Sequence, residues 1–308
     1  MTLFRRLAIA STAAAFLLVA IGGLVRATKS GLGCGPNWPH CPGAVNRALM
    51  IEFSHRAVAG IVIVLLAALA VTAVRSYKRT PALMWPAVAA FGLVLFQAVL
   101  GAIVVWLELR AESVVLHLAT AMILLALLVY LSVASLVLEG KLTVAPDEKT
   151  RKAGLVAALS VFALLLVGSY VTGTGAGYVF PDWPLMNGRL IPDLATPDQT
   201  AHFLHRLLAA VVGVVVLVVA VRVMRDKKRL PHQARLAQIA IGLFAVEVLI
   251  GAANVWSDLN AGWVTAHLAL GAGIWASLIG VTVVSHPALA ELRDTQPVRS
   301  SRAILEAS

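Results

Sequence analysis

The sequence predicts an all-α integral membrane protein in which eight transmembrane helices form two parallel-repeat four-helix bundles. Three observations carry this: an apolar composition, eight apolar runs of bilayer length, and a motif pattern that recurs once along the chain. Sixty per cent of the 308 residues are hydrophobic and only 13% are charged. One soluble core could not bury that much apolar surface, whereas a bilayer solvates the outer faces of helices with hydrocarbon. Ala, Val, Leu and Gly dominate the runs, as close helix packing in lipid requires.

The spans, each about the twenty residues a bilayer core demands, read as 7–25, 53–74, 85–106, 114–137, 153–172, 203–223, 235–256 and 262–284. Span 1, with a basic start and a long apolar stretch, resembles a signal peptide. Its length and its counterpart in span 5 favour a retained helix. Basic clusters fall on one side: Arg5 and Arg6; Arg75, Lys78 and Arg79; Lys141, Lys149, Arg151 and Lys152; Arg222, Arg225, Lys227, Lys228, Arg229 and Arg235; Arg293, Arg299 and Arg302. These are 18 of the 25 Lys and Arg residues, so the positive-inside rule puts both termini in the cytoplasm. The net charge of +10 therefore reflects topology and not a nucleic-acid partner.

The repeat has an offset of 150. His55, Arg56, Gly101, Trp106 and His117 recur as His205, Arg206, Gly251, Trp256 and His267, and Gln97 is answered by Glu247. Upstream the offset is 145, with Pro36, Asn37, Trp38 and Pro39 matching Pro181, Asp182, Trp183 and Pro184. Four spans per unit bring both halves into the membrane in the same sense, unlike an inverted transporter repeat. The division is 1–140 for the first half, 141–286 for the second, and 287–308 for a polar cytoplasmic tail expected to be unstructured.

Four of the eight histidines take part in the repeat, near the outer ends of spans 2, 4, 6 and 8. One intramembrane His could simply bond a neighbouring helix. Four at matching depth, two per unit, point to function, because an ionisable group in lipid is costly. Paired imidazoles across a bundle suit a haem iron ligated from both faces. The pairs are taken within each half, His55 with His117 and His205 with His267. Arg56 and Arg206 follow two of these histidines and suit either a propionate contact or an interfacial anchor. His40, His232 and His286 do not repeat and read as surface residues.

The halves also differ. Glu52 shares a helix face with His55, whereas the second half has His202 there. Glu52 reads either as a group that moves protons or stabilises positive charge or as a helix cap. His202 reads as a surface or supporting histidine. Cys34 and Cys41, the only cysteines, lie in the first outer loop. There they can form a disulfide, as a structural staple or a redox couple. Glu247, well inside span 7, reads as a polar contact between helices.

Together Glu52, His55 and Arg56, Cys34 and Cys41, and His117, His205 and His267 resemble the haem A synthase family over nearly the whole chain outside the tail. The resemblance implies oxidation of the C8 methyl group of haem O to a formyl group, through an alcohol and a hydrated aldehyde. His55 and His117 would face the haem O substrate with Glu52 beside the chemistry. His205 and His267 would ligate a haem b cofactor that carries electrons. It also implies a plasma-membrane location, with haem O synthase and cytochrome oxidase assembly factors as partners. Glu247 departs from the glutamine the family's repeat leads one to expect. A di-haem cytochrome that only passes electrons accounts for the four histidines equally well, but not for the one-sided Glu52 and cysteines.

Overall fold

The computed structural model describes residues 2–294, and it is helical with eight helices long and apolar enough to cross a membrane. They are α1 (Leu3–Ala27), α2 (Arg47–Ser76), α3 (Pro81–Trp106), α4 (Ala111–Leu138), α5 (Glu148–Thr174), α6 (Pro197–Arg225), α7 (Pro231–Trp256) and α8 (Ala261–Val284). All eight predicted spans are present, and most helices run several residues beyond them. Hydropathy marks only the hydrocarbon portion, while each helix continues until its end is satisfied by other means. Side chains of Thr2, Asn46, Asp147 and Thr196 accept backbone N–H groups at the starts of α1, α2, α5 and α6. Pro81 and Pro231 open α3 and α7, where a missing N–H costs nothing. Pro86 lies inside α3, leaving the Ala82 carbonyl without its helical donor. The Tyr130 hydroxyl of α4 donates to that carbonyl at 2.9 Å.

In the first half α1 packs on α2 and α4, and α3 packs on the same two helices. In the second half α5 and α7 pack on α6 and α8 in the same pattern. The halves meet through α1 on α8, α4 on α5, and α4 on α8. Exchanging α1 with α5 and α4 with α8 maps this set onto itself, a pattern compatible with two parallel four-helix units. Two buried cores follow the same division. One centres on Val62, Leu66, Leu69, Leu128 and Leu131, the other on Val212, Val216, Ala240, Trp275 and Leu278. The Trp275 indole donates to the Met122 carbonyl at 3.0 Å, tying α8 to α4. Ile61, Val64, Val214 and Val218 are more than half exposed, as expected of side chains that face lipid.

Matching turns close the hairpins at one end. Glu108 and Leu109 between α3 and α4, and Asp258 and Leu259 between α7 and α8, all have φ between 53° and 62°. The two leucines press on Gly31 and Gly177, where a Cβ would lie 2.9 Å and 3.0 Å from a leucine methyl. At the other end Arg5 pairs with Glu139, and Arg229 with Asp147. The basic clusters of the α2–α3, α4–α5 and α6–α7 connections all lie at this end.

The tail differs from expectation at its beginning. Residues Pro287–Asp294 form a ninth helix, α9, against α4. Leu289 and Leu292, three apart and therefore on one face, are buried in the first core. Local polarity hid this short amphipathic turn. Residues 295–308, with Arg299 and Arg302 of the basic tail, lie outside the described residues.

The two-core arrangement predicts position-dependent damage. Leu131→Ala empties a fully buried site and should cost about 2–5 kcal/mol, read as a lowered melting temperature in detergent. Val64→Ala, on the lipid face, should leave the melting temperature near wild type.

Candidate functional site

The four repeated histidines occupy equivalent helical positions. His55 and His205 lie eight residues after the first residue of α2 and α6, and His117 and His267 six residues after that of α4 and α8. At 1.5 Å per residue this is about 9–12 Å below the helix starts, within the outer part of the bundle. The His205 and His267 rings meet edge to face, with centroids 6.4 Å apart and planes at 78°. His55 and His117 lie within electrostatic range of each other in the first half.

Each ring sits over a glycine of the helix before it. A Cβ on Gly22 of α1 would lie 3.2 Å from His55 Cε1, and one on Gly168 of α5 only 2.9 Å from His205 Cε1. Gly101 of α3 and Gly251 of α7 would each place a Cβ 3.5 Å from the Cε1 of His117 and His267. Gly101 and Gly251 are visible in the 150-residue repeat. Gly22 and Gly168 are not, because they are 146 apart. In all four rings Nδ1 is buried without a hydrogen-bond partner, although the rings as a whole are partly accessible. The accessible edge therefore carries Nε2, free to bind a ligand.

Two loops cover these rings, each held by an arginine. Arg56 Nη1 donates to the carbonyls of Asn37 and His40, both at 2.9 Å. Arg206 Nη1 donates to the equivalent carbonyls of Asp182 and Leu185, both at 3.0 Å. This is the task of the repeated Pro-Asn/Asp-Trp-Pro motif, whose Trp–Pro bonds are cis in both halves. Sequence reasoning singled out both arginines but not the loop carbonyls they engage. In the second loop Asn187 and Gly188, at φ 53° and 76°, form an Asn-Gly turn suited to positive φ. The amides of Gly188 and Asn187, together with Arg206, hold the Asp182 carboxyl below the usual aspartate range.

Beneath the loops the halves diverge. Glu52 is 3% exposed, with one oxygen paired to Arg56 and the other accepting the Cys34 N–H at 2.8 Å. Cys34 and Cys41 form a disulfide, so the carboxylate joins α2 directly to the stapled loop. Asn46, and not Glu52, caps α2, which removes the capping reading for Glu52. His202, in the equivalent place, is also buried. It accepts Arg206 Nε at 3.0 Å and packs against Phe180 at 5.4 Å. Of the remaining histidines, His40 and His286 are exposed and His232 is half-buried.

The sequence profile of the COX15-CtaA family, described as cytochrome oxidase assembly proteins, matches residues 5–48 and 45–279. The chain belongs to the COX15-CtaA family. It is 31% identical to the heme A synthase of Symbiobacterium thermophilum over 296 residues, covering 90% of this chain and 94% of the relative. The heme A synthase of Geobacillus kaustophilus is 31% identical over 278 residues, with 83% and 84% covered. That of Halalkalibacterium halodurans is 36% identical over 208 residues, with 65% and 68% covered.

Within this family member the donor set suits a porphyrin-held iron. Among the described residues no three His, Cys, Asp or Glu side chains converge as a metal site. Two imidazoles per half leave the remaining coordination positions for a ligand that brings its own nitrogens, as haem does. A metal about 2 Å from each of two imidazole nitrogens, the usual metal–imidazole length, separates the ring centres by roughly 6 Å. The 6.4 Å between His205 and His267 fits that spacing.

The glycine contacts give a direct test. If the His205–His267 pair holds a haem, Gly168→Val should push His205 off its position and abolish the bis-imidazole absorption spectrum, without changing either histidine. Gly92→Val is the control, because a Cβ on Gly92 meets nothing within 4 Å; it should leave the spectrum intact.

Proposed function

We propose that this chain is a haem A synthase: an oxidoreductase that converts the C8 methyl group of haem O to the formyl group of haem A. The first half takes haem O as substrate between His55 and His117. The second half holds haem b between His205 and His267. Family membership and the names of its relatives support the activity. The observation that carries the division of labour is the asymmetry under the loops. Only the first half joins a buried carboxylate to a disulfide-closed loop beside a ring-facing histidine.

The geometry gives each residue a task. Gly22 and Gly101 let the His55 and His117 rings lie close to their neighbouring helices, with Nε2 directed to the substrate iron. Oxidising a methyl carbon builds positive charge at that carbon. The Glu52 carboxylate, fixed in an apolar bundle, stabilises that charge far more than it would in water. Its two oxygens each hold one hydrogen bond and keep lone pairs free, so Glu52 also accepts a proton. The Cys34–Cys41 staple keeps the Cys34 amide on Glu52 and the loop closed over the bundle, excluding bulk water. Arg56 and Arg206 bring positive charge to the outer end, where haem propionates would be carried, and hold the loops in place. Haem b, when bound, supplies one-electron redox chemistry.

In this reading the protein sits in the plasma membrane, and the basic clusters support an orientation with the histidines toward the outer surface and both termini cytoplasmic. Haem O synthase is the proposed source of substrate, and cytochrome oxidase assembly factors the proposed recipients of product. A purely electron-passing di-haem cytochrome accounts for the four histidines equally well but gives Glu52 and the disulfide no task.

Glu52→Gln tests the catalytic assignment. The amide keeps an oxygen for the Cys34 N–H but loses the charge. Haem A formation should fall by about 10²–10⁴-fold, the scale of a positioned acid–base group, while the second-half haem spectrum persists. Normal turnover accompanied only by a lowered melting temperature would leave Glu52 as a loop anchor.

A further inference from the structure

Glu247 marks a second asymmetry, in the other half of the repeat from Glu52. It lies in α7, one turn before Gly251, with its side chain 14% exposed. Its Oε1 is 3.2 Å from Nδ1 of His267, although the two are not aligned as a hydrogen bond, and its Oε2 is buried without any partner. The equivalent residue of the first half, Gln97, behaves differently. Gln97 Nε2 donates to the backbone carbonyl of His117 at 2.7 Å, and its Oε1 accepts the Thr120 hydroxyl. Gln97 is thereby fully engaged with the α4 backbone and Thr120, and His117 Nδ1 has no acceptor.

Three positions change together in the second half. Gln97 becomes Glu247, which cannot donate; Thr120 becomes Leu270, which offers no hydroxyl; and Ala121 becomes Gly271. A Cβ on Gly271 would lie 2.8 Å from Leu165 Cδ2 and 3.3 Å from Glu247 Oε1, so the glycine leaves room for both side chains. With the amide and the hydroxyl both gone, Glu247 instead has His267 Nδ1 at 3.2 Å. A small rotation that aligns Glu247 Oε1 with the unpartnered His267 Nδ1 satisfies the ring nitrogen.

We propose that Glu247 is a positioning residue that accepts the Nδ1–H of His267, and that this bond makes the second-half haem lower in potential than a neutral partner would. The inference rests on the haem b assignment of the preceding section. A proton fixed on Nδ1 leaves Nε2 as the ligating nitrogen. A carboxylate acceptor raises the basicity of that imidazole, which favours ferric over ferrous iron. No such acceptor reaches His117, so the two halves of one repeat present different imidazoles to their porphyrins. The resident haem is tuned as an electron donor, while the substrate site keeps a weaker donor set.

The test is spectroelectrochemical titration of purified full-length protein carrying its resident haem. Glu247→Gln should keep the bis-histidine spectrum and raise the midpoint potential. A tenfold loss of ferric preference reads as about 59 mV for a one-electron couple. Leu270→Thr restores the hydroxyl that Gln97 uses in the first half; it should compete for the carboxylate and raise the potential by a smaller step. This second variant decides the matter if Glu247→Gln does not fold. An unchanged potential in the folded variants, with haem retained, overturns the inference. If His267→Ala kept the same haem at the same potential, the haem b assignment itself would fail, a result distinct from an unresponsive Glu247.

Discussion

Four imidazole rings inside an apolar bundle are the constraint to which the rest of this molecule answers. A polar ring in hydrocarbon is costly unless it finds a partner, and in each of these rings Nδ1 is enclosed without a hydrogen bond. The fold accommodates them by setting a glycine of the preceding helix against each ring, at Gly22, Gly101, Gly168 and Gly251. Helices α1, α3, α5 and α7 thus supply the glycine backings, and α2, α4, α6 and α8 carry the four histidines. Such exact steric matching at four places requires rigid helix registers. The capped helix starts, the two separate cores and the paired left-handed turns supply them.

Duplication of one unit explains the symmetry; the departures from symmetry explain the chemistry. The arginine that clamps the outer loop is common to both halves, as are the two carbonyls it engages. Around that shared frame, the first half has Glu52 where the second has His202, and its loop carries a disulfide for which the second half has no cysteines. The second half substitutes Glu247, Leu270 and Gly271 for Gln97, Thr120 and Ala121. Glu52 lies three residues before His55, and Leu270 and Gly271 three and four residues after His267, while Glu247 approaches His267 from α7. In the proposed division of labour, a carboxylate stands near the substrate in one half and behind the ligand in the other, so that one architecture would serve both a reaction site and an electron-carrying site.

Much of this was legible in the sequence, for physical reasons. Twenty-residue apolar runs and one-sided basic clusters leave little freedom in a bilayer, so all eight spans could be read. The four histidines stood out because polar residues are rare in such runs. What stayed hidden depended on contacts between elements that the repeat offset did not align. Gly22 and Gly168 escaped notice because a one-residue shift separates them from the loop motif. The arginine clamp was hidden because its acceptors are backbone carbonyls, which carry no residue signature. The burial of α9 depends on a groove beside α4 that only the folded helices create. Glu247 was visible as a departure in the repeat, but its contact with His267 needed the approach of α7 to α8.

The division of the repeat into a substrate site and a resident-haem site is the central claim, and porphyrin extraction with chromatographic identification tests it most directly. Wild-type protein should yield haem b together with haem O or haem A. His205→Ala and His267→Ala should lose the haem b, while His55→Ala and His117→Ala should retain haem b and accumulate no haem A. Recovery of two equivalents of haem b from the wild type, with neither haem O nor haem A, would contradict the account and leave a di-haem electron carrier.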